Sequence, residues 1–344
     1  MPKLGCGGCV HWPVMELRAL GKTGLTVSAL GFGCGAVGGL MVRGEAVEQR
    51  RAIARAIEAG IRYFDTAPSY GDGRSEENLG RVLSDLGHDA VAEGIVVSTK
   101  FRVDPGIADD PTAVGKAIRD SLEASLRRLR REKVHLFQLH NKIGSDAGAL
   151  TPEQVLGPVV DTLRRLRDAG TIEHFGFTAT GDPGSVRRIV ESGHVETGQV
   201  YFNALNPSAG YAGKGVGSGT DFNGLIDVAA QRKVGVIVIR SLAGGAVVAN
   251  DARHANASSP SSGNVAGERY SDDVVRARAL ATLAGDLGLE GPVELAFRFA
   301  VAKPGVSTVI VGFSDEPQLE DALRWAGRGA LAVDAVQAVL DSHS

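Results

Sequence analysis

The chain has 344 residues, of which 43% are hydrophobic and 22% charged, with a formal net charge of −3. That is length enough to bury a large core. A near-neutral, interleaved charge excludes a protein that works by electrostatic attraction to nucleic acid or an anionic membrane, and no apolar run reaches the ~18–20 residues of a spanning helix.

The chain opens MPKLGCGGCVHWPV, without an apolar stretch of signal-peptide length. Residues 1–14 are read as a disordered leader, and the fold is expected over 15–344 as one domain. Cys6 and Cys9 form a lone C-x2-C, but a structural zinc site needs four ligands, so no metal is expected. With Cys34 the three cysteines fit a reducing compartment, and the expected location is cytoplasmic. Residues 16–30 (ELRALGKTGLTVSAL) alternate around Gly21-Lys22 and predict a small hairpin across a barrel floor.

Short β-branched runs then recur. They are Val27–Gly31, Ile61–Thr66, Ile95–Lys100, Val134–His140, Ile172–Thr178, Gly198–Asn203, Val234–Arg240 and Thr308–Phe313. Their hydrophobicity is continuous rather than alternating, as in strands covered on both faces. Amphipathic stretches lie between them. Residues 44–60 place Ala52, Ile53, Ala56 and Ile57 on one face, with Gly60 as cap. Asp110–Arg130 sets an apolar stripe against an Arg-rich outer face. Thr151-Pro152 opens a helix expected to run to Gly170, and Asp182-Pro183 opens another. Gly210–Thr220 is glycine-rich, Gly244–Asp272 is expected to be an exposed, mobile loop, and one more helix is expected past Ala326. Strands alternating with helices predict βαβ units, and eight of them predict a closed (β/α)8 barrel with an N-terminal hairpin and extra C-terminal helices.

In such a barrel the side chains at the C-terminal strand ends converge on one mouth. Predicted strand two ends in Asp65, with Tyr70 five residues on; strand three ends in Lys100 and strand four in His140. Each has a plain alternative: Asp65 as a helix cap, Lys100 solvated, Tyr70 packed in its loop, His140 a satisfied barrel histidine. Their coincidence favours chemistry. Reduction of a carbonyl needs a proton donor at the oxygen, and a tyrosine, pKa ~10, is a weak one near neutrality. A neighbouring ammonium, Lys100, would lower that pKa, and Asp65 would hold Lys100. His140 would orient the substrate oxygen or pass a proton.

These residues stand in motifs that resemble the aldo-keto reductase family. YFDTAPSYGDGRSEENLG resembles its Asp…Tyr signature, STK at 98–100 its lysine strand, LFQLHN at 136–141 its histidine strand, and VIVGFSDEPQLEDAL its cofactor segment. The likeness runs from Leu17 to Arg324. It implies a catalytic set of Asp65, Tyr70, Lys100 and His140, and nicotinamide contacts from Thr178 and Gln199. It also implies Arg240 where the family often stacks an aromatic ring, and a pyrophosphate loop at Ser241, Leu242, Gly244 and Gly245. The adenosine end would fall on Gly312, Ser314, Asp315 and Gln318. The usual Asn after the serine position is Ala179 here, and the one near the end of the cofactor segment is Ala322.

Relatives that prefer NADPH often carry basic residues where this chain has Ser314 and Gln318. Asp315 between them would repel a 2′-phosphate and could accept a bond from a 2′-hydroxyl. The cofactor expected is thus NAD or NADP, leaning to NAD or dual use, and Arg324 is the residue that could reverse that. The signature most resembles the sugar 1-dehydrogenases acting on galactose-, fucose- or threo-aldose-like substrates. The expected partner is a small carbonyl or sugar substrate, and a homo-oligomer is left open. A second reading keeps the fold and cofactor but makes the chain a redox sensor or regulatory subunit with little turnover.

Overall fold

A computed structural model of the chain describes residues 15–90, 94–215, 219–249, 252–259 and 269–343. The proposed leader and its C-x2-C pair therefore lie outside the described residues. Strands β1 (Leu17–Ala19) and β2 (Thr26–Ser28) form the expected hairpin, antiparallel with Arg18 opposite Val27.

Eight parallel strands close the barrel. They are β3 (Leu30–Gly33), β4 (Tyr63–Asp65), β5 (Val96–Phe101), β6 (Val134–Leu139), β7 (Ile172–Ala179), β8 (Thr197–Tyr201), β9 (Gly235–Ile239) and β10 (Val306–Gly312). Around the ring the order is β10, β3, β4, β5, β6, β7, β8, β9. The first barrel strand starts at Leu30, later than the predicted Val27–Gly31. Val27 belongs to the hairpin, where it packs with Leu20, Tyr63, Val96, Leu136 and Ile237. The Ser28 hydroxyl donates to Leu30 O at 2.6 Å, separating hairpin from barrel.

Period-two alternation sorts the strand side chains. Phe64, Val97, Phe137 and Phe175 join the large cluster under the helices. Tyr63, Val96 and Leu136 join the smaller cluster inside. The inward parity then continues upward through Asp65, through Ser98 and Lys100, and through Gln138 to His140. One ladder of alternate residues thus lines the barrel from floor to mouth.

The helical layer is mostly as expected. Ala46–Glu58 buries Ala52, Ile53 and Ala56, and Pro111–Leu129 is capped by Asp110, whose carboxylate accepts from Thr112 and Ala113 N–H. Thr151 and Gln154 form a reciprocal capping box. The helix expected to run from there to Gly170 is interrupted. Val155–Val159 is a π-type turn containing Pro158, with non-helical Gly157, and Val160–Asp168 resumes; Pro158 lacks the N–H that a regular ladder needs. The segment expected as an exposed loop from Gly244 departs too. Ala243–Val248 is 3-10 helical with Ala243, Gly244, Ala246 and Val247 buried, and Tyr270–Asp286 is already helix. Apolar side chains at Ala246 and Val247 explain the burial. Val333–Asp341 is the helix expected past Ala326. Among the described residues no helix is long and apolar enough to cross a membrane.

Candidate active site

Tyr70 enters the barrel mouth on a tight loop. Gly71, Asp72 and Gly73 have φ of 65°, 55° and 90°, three consecutive left-handed residues that only a Gly/Asp sequence accepts cheaply. Ser75 pins this loop: its hydroxyl donates to Cys34 O at 2.8 Å and lies 2.7 Å from Thr66 Oγ1. Behind it, buried Glu76 receives the Thr99 hydroxyl at 2.5 Å and Arg128 Nε at 2.6 Å, tying the helix Arg74–Ala90 to β5 and to the next helix.

The sequence-predicted four come together. Lys100 Nζ donates to Asp65 Oδ2 at 2.5 Å, to Thr66 O at 2.9 Å and to the Tyr70 hydroxyl at 3.1 Å. All three ammonium hydrogens therefore have acceptors. The His140 ring stands edge-on to Tyr70, centroids 6.2 Å apart at 89°. Lys100 and Asp65 are buried, whereas Tyr70 and His140 are half-buried at the opening.

Burial opposes the Lys100 charge, but Asp65 and Tyr70 outweigh it and its pKa lies above the ordinary lysine value. Tyr70 departs from expectation. Burial raises its pKa, Lys100 works against that, Asp65 adds to the rise, and the net direction is up. The ammonium limits the rise without reversing it, because Asp65 neutralises much of its charge. Tyr70 thus carries its proton. Burial, with Lys100, Arg102 and Arg240, depresses His140 to about 3, so its imidazole is neutral and suited to donating a hydrogen bond rather than passing a proton as a cation.

Thr178 and Gln199, adjacent on β7 and β8, are buried and hydrogen-bonded to each other at 3.3 Å. Gln199 Nε2 also donates to Asp65 Oδ1 at 2.6 Å, a link between residues 134 positions apart that no motif signals. Arg240, with φ of 60°, follows β9; Asn203 Nδ2 donates to its carbonyl at 3.0 Å, and its guanidinium lies 5.8 Å from the centre of the Tyr201 ring. Ser241 Oγ donates to Ile310 O at 3.2 Å, and half-buried Leu242 leads into Gly244 and Gly245.

Past β10, Ser314 N–H donates to Gln318 Oε1 at 3.0 Å and Gln318 N–H to Asp315 Oδ1 at 2.9 Å. Asp315 is thus a helix cap, with His254 Nε2 3.5 Å from its other oxygen. Arg324 is held by Glu290 at 2.6 Å and Asp321 at 2.8 Å, and Ala322 is buried against the core. Sequence reasoning missed Arg102, Arg253 and Asn256. Asn256 Nδ2 donates to Ser314 O at 2.9 Å and Arg253 to Gly244 O at 2.8 Å, which lays residues 252–259 beside the end of β10. Only Arg102, a basic residue just past a strand end, carried a readable signal.

A parallel barrel with these side chains at one mouth fits an oxidoreductase, and the whole chain agrees. Residues 29–339 match the profile of the Aldo/keto reductase family. The chain belongs to that family. It is 25% identical over 338 residues to an uncharacterised oxidoreductase of Bacillus subtilis (strain 168), covering 96% of this chain and 97% of that one. It is 28% identical over 311 residues to an L-galactose dehydrogenase of Arabidopsis thaliana, covering 89% and 86%. In fold it resembles the holo form of an aldo-keto reductase from Bacillus halodurans, with a TM-score of 0.70 at 21% identity over 96% and 97% of the two chains.

Aldo-keto reductases use NAD(P), and the residues present suit such a group. Gly244 and Gly245 have φ of 66° and 99°, a left-handed backbone with no side chain to bar the approach of a phosphate, while the Gly245 amide donates to Leu242 O at 2.8 Å. Arg253 adds a cation against that loop. Gln199 keeps acceptor capacity on its oxygen for a carboxamide even though its amide nitrogen donates to Asp65.

Proposed function

We propose that this aldo-keto reductase interconverts an aldehyde, ketone or aldose C1 with the corresponding alcohol, with Tyr70 as general acid and base. The observation that supports this most is the single ammonium, Lys100, shared between Asp65 and the Tyr70 hydroxyl at 2.5 and 3.1 Å. The nicotinamide, when bound, supplies or accepts the hydride. Tyr70 gives its proton to the carbonyl oxygen as that oxygen becomes an alkoxide, and Lys100 stabilises the phenolate left behind. Asp65 keeps Lys100 charged and aimed. Neutral His140 donates to the same substrate oxygen.

Thr178 and Gln199 would hold the carboxamide. Arg240 would flank the ring, Ser241, Leu242, Gly244 and Gly245 the pyrophosphate, and Gly312, Ser314, Asp315 and Gln318 the adenosine end. No basic side chain stands at 314 or 318, and Arg324 is engaged elsewhere; both support NAD or dual use. The likeness to a galactose dehydrogenase supports a sugar-like alcohol as substrate, and the composition a cytoplasmic location.

The test combines cofactor titration with turnover of a sugar and aldehyde panel. Tyr70→Phe should bind NADH within about threefold of wild type and lose at least roughly 10²-fold in kcat. Full activity would remove Tyr70 from its role, and clearly tighter NADPH than NADH binding would refute the cofactor preference. One round of bound-cofactor oxidation without steady turnover would favour the sensor reading instead.

A further inference from the structure

Two guanidiniums at the barrel mouth neither give nor take the transferred proton. Arg102 directly follows β5 and Arg240 directly follows β9. In the closed ring these strands are four places apart, so the two residues stand on opposite sides of the opening. Arg102 is exposed and Arg240 half-buried. The Arg240 backbone is held by its left-handed conformation and the Asn203 bond to its carbonyl, and its guanidinium lies 5.8 Å from the centre of the Tyr201 ring.

Among the described residues neither has a carboxylate within ion-pair distance. Asp65 is committed to Lys100 at 2.5 Å and Gln199 at 2.6 Å, and exposed Asp104, which keeps its charge, turns an oxygen to its own Gly106 N–H at 2.9 Å rather than to either arginine. Both guanidiniums bear on His140, together with Lys100. The mouth thus holds three cations around one neutralised carboxylate, an arrangement that favours an anion between them. The cofactor's pyrophosphate would answer only part of this. Its candidate loop, 241–245, lies on the β9 side, whereas Arg102 lies across the barrel.

We propose that the substrate bears an oxyanion, a carboxylate or a phosphate ester, which Arg102 and Arg240 bind while its carbonyl or carbinol faces Tyr70. This rests on the hydride-transfer reading above and names its substrate class. The two arginines flank the opening, so an acidic substrate would be drawn in and oriented by charge-assisted bonds.

Matched pairs test it: succinic semialdehyde against butanal, 4-carboxybenzaldehyde against methyl 4-formylbenzoate, and glyceraldehyde 3-phosphate against glyceraldehyde. The readout is the charged-to-neutral ratio of kcat/KM, in which general losses cancel. Wild type should favour the charged partner of at least one pair by about tenfold or more. Arg102→Met should cut that ratio at least about fivefold, with Arg102→Lys recovering part of it. The pair that responds separates carboxylate from phosphate. Ratios near one for all pairs, or a ratio unchanged in Arg102→Met, would overturn the proposal. Calorimetric titration with benzoate and benzamide reads the anion site without turnover. Benzoate binding that wild type shows and Arg102→Met loses supports the proposal even if no aldehyde reacts, in which case hydride transfer alone has failed. Equal or absent binding of both probes to wild type would overturn it.

Discussion

At the scale of single residues, the mouth is organised by one carboxylate. Asp65 accepts from Lys100 through one oxygen and from Gln199 through the other. It therefore couples the proton-transfer pair to a side chain proposed to touch the cofactor. The protonation states that follow are a charged Lys100, a neutral phenol at Tyr70 and a neutral imidazole at His140. With its pKa depressed to about 3, His140 loses its proton well below the ordinary ~6.5 and stays neutral as pH rises. The profile of log kcat/KM should accordingly show no His140 inflection between about pH 5.5 and 7.5. An inflection there that disappears in His140→Gln would contradict this assignment. The Asp65, Tyr70, Lys100 and His140 positions were legible because each falls at a hydrophobic-to-polar change at or just past a strand end. The direction of the Tyr70 shift was not, since it depends on how far burial and Asp65 offset Lys100, which only packing decides.

At the scale of elements, the site is braced from behind. Glu76 is buried and bridges Thr99 on β5 to Arg128 on the neighbouring helix. Glu76→Ala would strand both partners and release the helix that follows the Tyr70 loop. The expected cost is about 2–4 kcal/mol, read from denaturant midpoints, with a larger relative loss in kcat than in cofactor affinity. A variant as stable as wild type would show that the bridge contributes nothing. The strands and most helices could be read from periodicity and caps, because both signals are local. The start of β3 could not: Val27 is as apolar as a barrel strand residue, and only its packing across the floor assigns it to the hairpin. The break at Gly157-Pro158 is signalled by its proline, but the amphipathic pattern continues on both sides of it and reads as one helix. The burial of Ala246 and Val247 was hidden by glycines that resemble a loop.

At the scale of the whole molecule, several half-buried groups make the fold acid-sensitive in the same direction. His140 and His343 have lowered pKa values, chiefly through burial. Below about pH 6.5 the unfolded chain binds protons there that the folded chain refuses, so stability falls as pH falls. Glu196 adds to this. Burial opposes its charge, but bonds from His174 and the Phe175 amide bring its pKa below the usual carboxylate value. Its contribution is present above ~4.3 and is lost as pH drops through the lowered value. The melting temperature should therefore decline steadily from pH 7 to 4, with a shallower slope in His140→Gln; a flat profile would contradict the burial assigned to these groups.

The closure of the ring has a further consequence in time. The last strand, β10, hydrogen-bonds to the first, β3, with Val309 opposite Leu30. While the chain leaves the ribosome, β3 must wait for nearly all of the protein with one ladder edge unpaired, and β9 waits beside it with another. Exposed parallel edges are slow to satisfy and prone to foreign partners. The newly made chain is thus most vulnerable in the interval just before β10 emerges, when chaperone capture would matter most.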